Sequence, residues 1–155
     1  MIPEFAIREW GEQVPWTETE QVEQDLLICR ALTEIYKDPY LASHLAFRGG
    51  TALHKLFLSP QPRYSEDIDL VQVKAEPIKE TYDRIREALS FLGEPKVKQK
   101  KHNNTLIFRL ESEIRPVVPN TSRWKSIARN ISMCYQCRKF HSQFQTNGIM
   151  ESVMS

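Results

Sequence analysis

No stretch of this chain is apolar for long enough to cross a membrane, and its opening, MIPEFAIREW, is acidic and aromatic where a secretory leader would be basic and then apolar. The cytoplasm is therefore the expected compartment, with no membrane partner. Cysteine occurs only three times, and in that compartment no disulfide is expected. An excess of either charge is missing too. The 21 basic and 20 acidic side chains leave a formal charge of +1, so there is no global basic footprint and any contact with nucleic acid has to be local. At 155 residues the chain suits one modest domain with a single core.

What is present is concentrated between Leu45 and Leu70, which read LAFRGGTALHKLFLSPQPRYSEDIDL. This is an apolar strand, a Gly-Gly-Thr turn, a short helix, and a second strand opening with Asp67-Ile68-Asp69. Successive side chains of a strand alternate faces, so Asp67 and Asp69 point the same way, roughly 6.5–7 Å apart along the backbone, and can share magnesium. Divalent ions roughly 3.5–4 Å apart are what in-line displacement at a nucleoside triphosphate uses to stabilise attacking and leaving oxygens. Upstream, Gly49 and Gly50 let the backbone approach a phosphate, and a helix from Thr51 aims free N–H groups and its positive end at it. Taken singly, a Gly-Gly pair is usually a turn and an Asp-x-Asp a solvated strand end. Joined in this order around an amphipathic helix and a Pro-rich connector, they read as a functional pattern.

These residues resemble the nucleotidyltransferase superfamily, whose signature is Gly-Gly or Gly-Ser, a short helix, then Asp-x-Asp. FRGGTALHK followed by RYSEDIDL is similar to the AbiEii/AbiGii toxin family, the toxin half of a type IV toxin–antitoxin or abortive-infection pair. The resemblance runs from about the first helix to Pro119, through FRLESEIRPVVP. It implies an α/β (α+β) nucleotidyltransferase fold, a small mixed sheet flanked by helices and incomplete at the C-terminus. It also implies a magnesium-dependent enzyme that takes a nucleoside triphosphate, often GTP or CTP, and transfers nucleotide to an acceptor such as tRNA, with a cognate antitoxin as partner. Carried over by position, Gly49, Gly50 and Thr51 match the phosphate-binding turn and Asp67 and Asp69 the metal ligands. Ser65 and Arg63 match positions beside the metal site.

The surrounding elements follow from periodicity. Thr17 and Glu20 have capping-box spacing, and Val22, Leu26, Cys29, Leu32 and Ile35/Tyr36 recur at helical intervals, which predicts a helix over about 18–36 with Cys29 as a core thiol. Ile78, Tyr82, Ile85 and Leu89 predict a second helix, stopped by Gly93 and Pro95. Lys96 to Lys101 and Thr105 to Glu111 flank Asn103-Asn104, a turn-prone pair that predicts an antiparallel hairpin. Its basic arm, Lys96, Lys98, Lys100 and Lys101, reads first as a solvated face that discourages edge pairing, and second as a contact for RNA phosphates.

After Pro119 the character changes. Residues 120–155 show no sustained period, so they are expected as an irregular tail behind a domain over 1–119. Cys134, Cys137 and His141 lack an evident fourth ligand, so no zinc site is expected. Read backwards through the genetic code from the third base of each codon, Trp124-Lys125 yields only Glu, Arg123-Trp124 yields Leu, Val or Met, and Lys125-Ser126 permits Val or Ile. The result resembles the third carboxylate strand that family members carry after their PVVP stretch. Arg129 to Met133 permits EHFN and Thr146 to Ser155 permits EWYHGECNV, again like the family. The expectation is a one-base frameshift near Asn120. An active transferase would then lack its third acid, leaving Glu111 and Glu113 as the acids able to stand in, and a non-catalytic remnant that binds nucleotide or antitoxin is the alternative. Ranked below both are a general RNA-binding module and phosphotransfer to protein.

Overall fold

The computed structural model describes residues 2–100, 103–111 and 126–134. Helix α2, Thr19–Lys37, buries Val22, Cys29, Leu32 and Ile35, with Leu26 and Tyr36 packed at the margin, which is the face its periodicity predicts. Its start differs from expectation. Glu18 occupies the N-cap and makes no side-chain cap bond, so Thr17 lies outside the helix. Two further helices precede and follow it. Helix α1, Glu4–Gly11, buries Ile7. Helix α3, Pro39–His44, starts where the Asp38 carboxylate accepts hydrogen bonds from the N–H groups of Tyr40 and Leu41, with Pro39 at the first helical position.

Strand β1 (Leu45–Arg48), helix α4 (Gly49–Leu56) and strand β2 (Ile68–Gln72) follow in the predicted order. Helix α5, Ile78–Ala88, buries Ile85 and runs into a short 3-10 turn over Ser90–Leu92, where Gly93, at φ +78°, ends it. Strands β3 (Lys96–Lys100) and β4 (Asn103–Glu111) form the antiparallel hairpin. Asn103 and Asn104 are not its turn, however. They belong to β4, opposite Lys100 and Gln99. Pairing on the other side explains this, because β4 is held by β5 as far as Asn103 and ladder bonds outweigh a local turn preference.

Strand β5, Ser126–Cys134, falls inside the stretch read from sequence as irregular. It lies between β2, to which it is parallel, and β4, to which it is antiparallel, so the sheet has five strands in the order β1-β2-β5-β4-β3. Its lack of a sequence period is compatible with a central position, where both ladders fix the backbone whatever the side-chain pattern. Cys134 belongs to this strand, and Glu113, Cys137 and His141 lie outside the described residues.

The sheet has one covered face and one partly open face, on which Val71 is buried. Leu45 and Phe47 of β1, Ile68 and Leu70 of β2, and Leu106 and Phe108 of β4 are buried with residues of α2 and α5 in one core. The alternate positions, Arg48, Asp69, Thr105 and Ile107, are exposed or half-buried. Phe108, with no exposed surface, fills the centre of that core. Truncating it should therefore leave an unfilled cavity: Phe108→Ala is expected to lower unfolding stability by about 3–5 kcal/mol in urea titration. A loss under about 1 kcal/mol would mean that β4 is not packed on the helices as described.

Candidate active site

The site is assembled where α4 begins and β2 begins. At Gly49, φ is +84°, and a Cβ there would stand 2.7 Å from Oδ2 of Asp69. Only glycine combines that backbone angle with so close an approach to the carboxylate. Gly50 is different. It has no positive φ, and nothing lies within 4 Å of where its Cβ would be, so the space over it is open. The unusual backbone angle expected of the pair thus belongs to Gly49 alone, and the room for a ligand belongs to Gly50.

Thr51 joins the two halves. Its side chain is buried, and its hydroxyl donates to the backbone carbonyl of Asp67 at 2.7 Å. A threonine at the third helical position therefore fixes the spacing between the turn and the aspartates, while its own N–H stays among the first four of α4 with no intrahelical acceptor. Arg48 fills the N-cap of α4 without a side-chain cap bond. Those N–H groups and the helix dipole suit a polyanion.

Asp67 immediately precedes β2 and is exposed, whereas Asp69, within β2, is half-buried. Ile68 between them points into the core, so the carboxylates share the open face. Arg48 is paired directly with Asp69 across β1 and β2, so the two side chains leave the sheet on the same face. Sequence reasoning passed over Arg48, although it stands immediately before Gly49; once β1 and β2 are recognised as an antiparallel pair, its position is forced. Ser65 and Arg63 lie on the connector leading into Asp67, Ser65 half-buried and Arg63 exposed. The connector is braced by Gln61, whose Nε2 donates to the Arg63 carbonyl at 3.0 Å, and by an edge-to-face contact of Tyr64 with Trp16 at 5.5 Å between ring centroids.

A second anchor holds α4 from behind. Nζ of Lys55 lies 2.6 Å from Oδ1 of Asp25 on α2, with side chains 6% and 1% exposed. Trp10 donates from Nε1 to the other carboxylate oxygen at 2.9 Å, and Lys55 also reaches Sγ of Cys29 at 3.3 Å. Burial opposes the Lys55 charge, but the field of the Asp25 carboxylate and its hydrogen bond outweigh it, so the lysine pKa stands above its ordinary value. Burial pushes the Cys29 thiol up, so it is a core thiol as expected. The sequence did not mark Asp25 or Lys55. A lysine on the face of α4 that carries Thr51 and Ala52, and an acid on the apolar face of α2, were the available signals.

Magnesium needs hard oxygen ligands and is commonly held by one or two carboxylates together with substrate phosphates and water. Asp67 and Asp69 fit that donor set. Among the described residues no cluster of three or more His, Cys, Asp or Glu could hold a metal unaided. Among the described residues, β5, the strand beside β2, contains neither Asp nor Glu. Glu111 cannot substitute. Its backbone pairs with Ser126, while Asp69 pairs with Ser132, six residues further along β5, or roughly 20 Å at strand rise.

The family model described as the nucleotidyl transferase AbiEii toxin of type IV toxin–antitoxin systems matches residues 30–123. No curated protein matches the chain. A solved Helicobacter pylori protein described as a nucleotidyltransferase superposes with a TM-score of 0.51 at 15% identity, over 81% of this chain and 49% of its own. MenT4, a nucleotidyltransferase toxin of Mycobacterium tuberculosis, superposes at 0.46 and 12% identity, over 88% of this chain and 44% of its own. The chain thus spans about half the length of the solved structures it matches.

If the buried pair fixes α4, removing one partner strands the other charge in the core. Asp25→Asn is expected to cost about 3–5 kcal/mol of unfolding stability, and adding Lys55→Met should restore part of it. A single variant as stable as the native chain in urea titration would show that the pair carries no such weight.

Proposed function

Because the chain belongs to the AbiEii family of nucleotidyltransferase toxins from type IV toxin–antitoxin systems, we propose that it transfers a nucleotide from a nucleoside triphosphate to an acceptor, with Asp67 and Asp69 as the ligands of magnesium. The observation that carries this reading is the contact of the Gly49 backbone with the Asp69 carboxylate, braced by the Thr51 bond to Asp67. It ties the Gly-Gly-Thr turn to the two aspartates, which supports reading them as one phosphate and metal site.

In this reading the triphosphate lies over Gly50, where the surface is open, and accepts hydrogen bonds from the first N–H groups of α4. Arg48, at the mouth of the same turn, offsets negative charge on the phosphates. Asp67 and Asp69 would hold the cation on the face they share. Bound there, magnesium would supply charge stabilisation for the oxygens of an in-line displacement. Arg63 and Ser65 approach along the connector and contribute to seating the nucleotide. GTP and CTP are the nucleotides to test first, tRNA the acceptor, the cognate antitoxin the protein partner, and the cytoplasm the compartment that supplies them. Among the described residues no helix is long and apolar enough to cross a membrane.

A second reading has its own observation. Among the described residues β5 offers the pair no acid, and a one-base frameshift near Asn120 would account for that. Such a chain would bind nucleotide or antitoxin and transfer nothing.

Incubating the protein and RNA with radiolabelled GTP or CTP separates the two. Label entering RNA only with magnesium supports transfer, and none entering supports the remnant. In an active chain Asp67→Asn should lower transfer by about two orders of magnitude or more, the scale of losing one charge-stabilising group, with the fold intact because Asp67 is exposed. Near-normal transfer would reduce the pair to a strand end. Gly50→Val tests the cradle: valine fits open space and suits a helix better than glycine, so stability should hold while triphosphate affinity falls. Unchanged affinity in equilibrium dialysis would remove Gly50 from the site.

A further inference from the structure

The register of the sheet places the aspartates and the basic hairpin arm on one surface. Asp69 pairs with Ser132, Ser132 with Thr105, and Thr105 with Lys98. Directly paired residues share a face, so this row crosses the open side of the sheet from the metal pair to its far edge. The next row runs from Asn130 through Ile107 to Lys96, and Asn130 precedes the partner of Ile68 as Asp67 precedes Ile68 itself. Lys96 and Lys98 are therefore aligned with Asp67 and Asp69 respectively. Three strand spacings of about 4.8 Å separate them, roughly 14 Å at the backbone. The positions between are neutral in both rows, so no like charge repels a phosphate chain laid across them.

Both lysines are exposed. They stand on an edge strand two residues apart, roughly 6.7 Å, one at the end of each row, so they can flank a phosphodiester backbone that enters the face between the two rows. We propose that Lys96 and Lys98 seat the phosphodiester backbone of an RNA acceptor, which lies across the open face of the sheet so that its end reaches Asp67 and Asp69. This rests on the reading that the acceptor is RNA. The lysines are positioning residues: they fix where the strand lies and take no part at the reacting atoms.

The test measures binding of a fluorescein-labelled single-stranded RNA oligonucleotide to the full chain by anisotropy across a salt series, without nucleotide or magnesium. Each lost phosphate contact should reduce the slope of log affinity against log salt by about 0.7, so Lys96→Gln/Lys98→Gln should reduce it by about 1.4. Lys37→Gln/Lys79→Gln, on α2 and α5 behind the sheet, should leave it unchanged. An unchanged slope in the hairpin variant overturns the proposal, as does a native chain that binds no RNA. So does a variant that self-associates but binds RNA normally, since the lysines would then serve only to block edge pairing. The transfer reading is judged separately. RNA binding through these lysines by a chain that transfers nothing refutes transfer and leaves this surface standing, whereas transfer with an unchanged KM for RNA in the variant refutes the surface alone.

Discussion

The bond from the Thr51 hydroxyl to the carbonyl of Asp67 spans the chain's whole connector. Between these two residues lie a helix, a proline-rich turn and a segment with exposed side chains, any of which could vary in path. With the bond in place, their variation does not reach the site, because both ends of the excursion are tied at one point. Gly49 adds the complementary constraint. Its missing side chain lets the Asp69 carboxylate come against the turn, so the elements meet backbone to side chain with no intervening atoms.

That arrangement requires α4 to have a fixed direction as well as a fixed start. An eight-residue helix has little stability of its own. The ion pair of Lys55 with Asp25 gives its second turn a partner on α2, and Trp10 extends the attachment to α1. Buried ion pairs are weak sources of net stability but strong sources of geometry, since a misplaced helix would leave a charge unpaired inside the core. The molecule thus places an expensive interaction where direction matters and leaves the open face to polar residues that need none.

Much of this was legible in the sequence because the informative residues are local. The order of strand, Gly-Gly-Thr, helix and Asp-x-Asp lies within one continuous segment, and the helices around Leu32 and Ile85 announce themselves through spacing. The misses share a different cause. Arg48 and Asp69 are neighbours only through strand pairing, and Asp25 and Lys55 only through helix packing, so neither pair has a fixed sequence interval. Asn103 and Asn104 carry a correct local preference that a ladder overrides. Residues 126–134 show no alternation, and a strand paired on both sides needs none to be held. The α3 start was written plainly as Asp-Pro and was overlooked.

The position of β5 also orders events in time. It is the last described strand in the chain, yet it occupies the middle of the sheet, between the strand of the aspartates and the lysine hairpin. A chain leaving the ribosome can fold α1 to β2 with their mutual contacts, and can close the β3–β4 hairpin, but the two have no shared ladder until Cys134 has emerged. The Gly-Gly-Thr turn and its aspartates are therefore tied together before the ladders beside them exist. Synthesis itself thus delays the moment at which the aspartates and the lysine hairpin are joined in one sheet.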